Sequence, residues 1–152
     1  MKKLLIVIGI LVVLGGTYWL YTNRTDPTIA TMPKVTATIN ESKFTLYAPD
    51  TPEGMQKGLA IFKVLPENEG MIFRGLPVGT QTFWMKDMNF DIDIIWVNKD
   101  NKVIHIVYDA SKESYPARFE NPIELPSSYV IELNAGLAEK HGIAPGTLVS
   151  IN

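Results

Sequence analysis

The sequence predicts a mostly β fold of the α+β class: a small closed or strongly bent antiparallel or mixed β-barrel with two short helices, preceded by one N-terminal transmembrane helix. Three observations carry this expectation. About seven short segments alternate apolar and polar residues or run continuously apolar. Gly, Pro, Asn and Asp punctuate them. Ahead of them lies an uncharged stretch from Leu4 to Tyr21.

That stretch follows Lys2 and Lys3 and reaches roughly 27 Å as a helix, close to the hydrocarbon thickness of a bilayer. It ends in Tyr18, Trp19 and Tyr21, which suit a membrane interface, where a cleavable signal peptide would show small residues. A retained anchor over 1–21 is therefore the expectation, with secretion after cleavage as the alternative. Positive charge before the run, against Arg24 offset by Asp26 after it, puts the N-terminus inside and the domain on the extracytoplasmic side. Residues 22–34, with Pro27 and Pro33, read as a short linker to a domain over 35–152.

Val35, Ala37 and Ile39, a polar turn at Asn40–Ser42, then Phe44, Leu46 and Ala48 describe a hairpin. Thr51, Pro52 and Glu53 form a helix start: an N-cap, a proline at the first position and an acid in the first turn. Short strands follow over 70–73 and 81–85, and Ile92 to Val97 reads as a central strand because every position but Asp93 is apolar. The turn at 98–101 returns the chain into a strand over 102–108. Residues 111–128, with Pro116, Pro122 and Pro126, have no period and read as a long surface loop. Tyr129 to Leu133 resumes as strand, Asn134 is placed to cap a helix over 135–141, Gly142 ends it, and 148–151 is the last strand.

Composition excludes several classes. The 152 residues carry a net charge of -2 and no Lys/Arg run, so nucleic acid is not an expected partner. The absence of cysteine removes disulfides, thiol nucleophiles and thiolate metal ligands. No Gly-x-Ser-x-Gly elbow, phosphate loop or dinucleotide fingerprint occurs. No metal site or cofactor is expected. His105, inside an apolar strand, and His141, beside a helix-ending glycine, read as structural residues.

Several separated motifs stand in register: Gly58-Leu59, Leu65 to Met71, Phe83-Trp84-Met85-Lys86, Asp93-Ile94, Leu133 to Gly136, Gly142-Ile143 and Pro145-Gly146. In order and spacing they resemble the domain of unknown function 192 (DUF 192), over roughly Phe44 to Asn152. The resemblance implies a compact β-rich fold of prokaryotic origin, often exported or membrane-anchored, and it implies no reaction. The sequence departs from the family pattern at Asp87-Met88, where Asn-Thr is usual, and at Asp91, where proline is usual. An arginine usually found soon after Gly58-Leu59 is missing, with Lys63 the nearest base.

The densest polar cluster is Trp84, Lys86, Asp87, Asp91 and Asp93. Strand alternation puts Asp91 and Asp93 on one face, about 7 Å apart. Three readings compete: a Lys86–Asp93 ion pair that fixes a strand crossing; a binding surface with Trp84 as platform and Lys86, Asp93 and Glu132 as polar rim; and paired carboxylates doing acid/base hydrolysis or holding a divalent ion, the metal version being the weaker because no spacing matches an EF-hand loop. Tyr115, Phe119 and Tyr129 either form an aromatic lip or cover the barrel end. The ligand-binding candidates are Trp84, Lys86, Asp93, Glu132, Asn134 and Tyr115. The resulting expectation is a membrane-anchored, extracytoplasmic, non-catalytic module that binds an envelope ligand or a membrane-protein partner. The alternative is a small envelope hydrolase using Asp93 with Lys86 or Glu132.

Overall fold

The computed structural model describes residues 27–152, and the expected anchor over 1–21 lies outside them. Among the described residues no helix is long and apolar enough to cross a membrane. The first element, α1 (Pro27–Thr31), is a single helical turn within the segment expected as a linker.

The hairpin forms as its alternation dictates. Strands β1 (Lys34–Ile39) and β2 (Ser42–Tyr47) pair antiparallel through a two-residue turn in which Asn40 and Glu41 both take positive φ. The helix α2 (Pro52–Lys57) starts at Thr51, whose Oγ1 accepts the Gly54 N–H at 3.1 Å, and tightens into a 3-10 turn over Gly58–Ile61. Strand β3 (Glu69–Phe73) then runs parallel to β2. Gly70 makes this approach possible: a Cβ there would lie 2.5 Å from the Glu132 carbonyl oxygen and 2.8 Å from Leu46 Cδ2.

Strand β5 (Ile92–Val97) is buried at all six positions and pairs on both sides, with β6 (Val103–Ala110) and β8 (Tyr129–Asn134). With β9 (Val149–Ile151) the main sheet has seven strands in the order β6-β5-β8-β3-β2-β1-β9, antiparallel except at β2–β3. It curls until its edges approach at one end, where the Val103 N–H donates to the Thr147 carbonyl at 2.9 Å and the Gly146 N–H to the Val103 carbonyl at 2.8 Å. β9 has only three residues, so the edges share a bridge and not a ladder; the result is a curled half-barrel, not a closed barrel. Its interior holds Ile39, Leu46, Ile72, Ile95, Ile131 and Leu133.

Three local expectations are corrected. Residues 111–128 are not simply loop. They contain a 3-10 turn, Lys112–Ser114, and a strand, β7 (Arg118–Glu120), paired with β4 (Thr82–Trp84) in a separate ribbon. Buried Asn121 anchors this ribbon, accepting the Gln81 N–H at 2.8 Å and donating to the Leu125 carbonyl at 2.6 Å. The described residues hold three short α-helices, the third being α3 (Leu137–Lys140). Asn134 does not cap α3. It ends β8 and donates to the Leu65 carbonyl at 2.8 Å, while Gly136 occupies the N-cap position in a left-handed conformation.

Candidate functional site

Strand register decides which polar residues can meet. In the β5–β8 ladder Asp93 stands opposite Leu133, and Ile94 opposite Glu132. Directly paired residues share a face, so Asp93 points with Leu133 into the half-barrel, and Glu132 points to the other side.

Asp93 is fully buried, and its carboxylate is satisfied by backbone. Oδ2 accepts the Ala138 N–H at 2.8 Å, and Oδ1 accepts those of Asp109 at 3.0 Å and Gly136 at 3.3 Å. It thereby supplies the N-terminal cap of α3 from a different strand. Lys86 is exposed, and its expected ion pair with Asp93 does not form. The reason is topological: the two residues serve opposite sides of the sheet. Asp91 also has a local role, accepting the Lys112 N–H at 2.7 Å.

On the other face the β4–β7 ribbon and α2 stand over β3 and β8. Phe83 anchors the ribbon, with its ring 5.0 Å from Phe73 and 6.1 Å from Trp96. The Trp96 indole N–H donates to the Gln81 carbonyl at 3.0 Å just before β4. Between ribbon, α2 and sheet lies a cleft of about 300 Å³, at the small end of the range for ligand sites. Its walls include Met55, Leu59, Phe73, Phe83 and Met88, and Lys57, Trp84, Lys86, Arg118 and Glu132 also line it.

Glu132 is 5% exposed, and its Oε2 has no hydrogen-bond partner among the described residues. Burial pushes its carboxyl up to about 8, opposed only in part by a hydrogen bond from the Leu59 backbone. The shift favours the protonated acid, which is able to donate. Arg118, opposite Trp84 in the ribbon, lies over the indole with Cζ 5.3 Å from the ring centroid. A cation thus lies over the partly exposed indole, which is not the open platform the sequence suggests. Lys57 pairs with Glu53 at 2.9 Å; neither Lys86 nor Arg118 forms an ion pair among the described residues.

The structure gathers Trp84, Lys86 and Glu132 in one cleft and leaves Asp93, Asn134 and Tyr115 outside it. Sequence reasoning missed Arg118 and singled out Phe83 and Gly58 only as family motifs, not as site residues. A signal for Arg118 existed in the apolar-centred Arg118-Phe119-Glu120 triplet, but three residues are too few to show a period. His105 packs on Trp96 at 5.3 Å, and burial lowers its ring below the usual histidine range; His141 bonds Ser42 Oγ through Nδ1 at 2.8 Å.

A curled half-barrel with a two-stranded ribbon over an acid-floored cleft defines a small β-rich domain whose chemistry is not read from its fold. The family model of DUF192, described as an uncharacterised ACR, matches residues 35–151, and the chain belongs to that family. No curated protein matches the sequence. Two crystal structures are similar. One is a proposed transcription regulator from Sinorhizobium meliloti 1021, 22% identical with a TM-score of 0.71, covering 79% of this chain and 95% of that one. The other is a protein of unknown function from Novosphingobium aromaticivorans DSM 12444, 32% identical with a TM-score of 0.63, covering 78% and 84%. The first likeness shows the fold alone.

Proposed function

We propose that this chain is a non-catalytic binding module, membrane-anchored and extracytoplasmic, whose ligand site is the cleft between α2, the β4–β7 ribbon and β8. The observation that carries this reading is Glu132. A carboxyl only 5% exposed, with one oxygen unpartnered, lowers stability unless something else meets it. A ligand atom reaching the cleft floor would do so. The location rests on Lys2 and Lys3 ahead of the uncharged run to Tyr21.

The hydrolase reading is weakened because Asp93, its expected catalytic partner, is consumed by three backbone donors on the far face. The role proposed for the S. meliloti neighbour is not carried over, since a net charge of -2 gives little attraction for nucleic acid.

The test is a small-molecule screen on the full chain with ¹³C-methyl-labelled methionine. Met55 and Met88 line the cleft, and buried Met71 shares the sheet face of its ladder partner Glu132. Ligands that move the Met55 and Met88 methyl signals support the reading. A broad screen of metabolite-sized compounds that moves neither signal contradicts it.

A further inference from the structure

We infer that the cleft selects a small amphipathic organic anion: an apolar body, an anionic group held at Lys86 and Arg118, and a hydrogen-bond acceptor reaching Glu132. This rests on the binding reading above and adds the ligand class to it.

Charge, burial and wall chemistry point the same way. The ionisable groups lining the cleft are Lys57 of α2, Lys86 after β4, Arg118 of β7 and Glu132 of β8. Lys57 is engaged by Glu53, but Lys86 and Arg118 lie exposed at the mouth without an ion pair among the described residues. The mouth is therefore cationic on a chain whose net charge is -2. Arg118 lies over the Trp84 ring and is exposed, and a guanidinium's planar fork of donors suits a carboxylate or phosphate. Below the mouth, Met55, Leu59, Phe73, Phe83 and Met88 offer apolar and sulfur surface.

At the floor the Glu132 Oε2 is unpartnered and 3.7 Å from the place a Gly58 Cβ would occupy. Glycine there keeps the floor open. A protonated Glu132 donates a hydrogen bond, so the deep end of the ligand is an acceptor such as a carbonyl. An ionised Glu132 would lose that donor and repel the anion.

Matched probes test the class on the full chain, read through the Met55 and Met88 methyl signals. Monomethyl suberate carries a carboxylate, an apolar chain and an ester carbonyl; the corresponding ω-amino methyl ester replaces the carboxylate by an ammonium; octanoate lacks the second acceptor. Near pH 6.5 the expected order is monomethyl suberate tighter than octanoate, and at least about tenfold tighter than the amino ester. Arg118→Gln and Lys86→Gln, both at exposed positions, should each weaken monomethyl suberate about fivefold or more. Raising the pH to about 9, where lysine stays largely charged, should weaken binding to the wild type but not to Glu132→Gln, which keeps a donor.

An amino ester that binds through the same methyls as well as monomethyl suberate overturns the anion class and leaves the cleft reading standing. Binding unaffected by pH in the wild type overturns the role given to Glu132. If none of the probes moves Met55 or Met88, the proposed class is wrong, and the broad screen above then decides whether the cleft binds anything.

Discussion

Asp93 and Glu132 lie one register position apart on neighbouring strands, yet their carboxyl groups face opposite sides of the sheet. The inward one is satisfied by three backbone N–H groups, and the outward one has an oxygen with no partner among the described residues. Two buried acids on adjoining strands thus have separate duties, one structural and one at the cleft.

Asp93→Ala should cost at least about 3 kcal/mol, because it strands the amides of Asp109, Gly136 and Ala138. Asp93→Asn should cost less, on the order of 1–2 kcal/mol, since an amide oxygen can still serve two of the donors. Urea unfolding monitored by circular dichroism gives both values. A neutral Asp93→Ala would contradict the capping role.

Gly58 has φ +53 and ψ -141, a region open to glycine and costly for other residues. Gly58→Ala should destabilise by about 2 kcal/mol. It should also weaken any ligand of the cleft, because the new methyl sits 3.4 Å from Phe73 Cζ and 3.7 Å from Glu132 Oε2. Comparing its unfolding midpoint and its ligand affinity with wild type separates the two effects.

Asn134→Ala should lower stability by about 1–2 kcal/mol through loss of the bond to the Leu65 carbonyl, and leave cleft binding unchanged. A change of affinity with unchanged stability would return Asn134 to the binding site.

How far the sequence reaches follows from which signals are local. The β1–β2 hairpin shows in alternation and in Asn40-Glu41, and β5 in its continuous apolar run, because period and turn chemistry are written within a few residues. Pairing partners are not. Alternation places Asp91 and Asp93 on one face, but only the register with β8 reveals that Glu132 lies on the other. The cap of α3 falls to Asn134 in the sequence for the same reason: Asp93, its true source, reaches Ala138 across the sheet, 45 residues away in sequence. Trp84, Lys86 and Glu132 are legible as polar or aromatic residues beside apolar strands. Arg118 is hidden in a proline-rich stretch whose three-residue strand exists only by pairing with β4.

The protonation of Glu132 has a consequence for stability. Its folded-state value, about 8, lies above the ordinary 4.5, so folding favours the neutral acid. That contribution is fully present below about pH 4.5 and is lost as the pH rises through about 8. The loss should be on the order of 3–5 kcal/mol. Glu132→Gln should remove this component and be more stable than wild type above pH 8. Unfolding free energies at pH 5, 7 and 9 for the two proteins check the sign and size.

The most direct measurement is the side-chain ¹³C carboxyl shift of Glu132, followed by NMR from pH 4 to pH 10 in the full chain. A midpoint near 8 is predicted, with a rise on adding monomethyl suberate, since the bound anion favours the proton. A midpoint near the ordinary glutamate value would mean that the cleft floor is an ionised, solvated carboxylate, and would contradict both the neutral acid at Glu132 and the ligand class inferred from it.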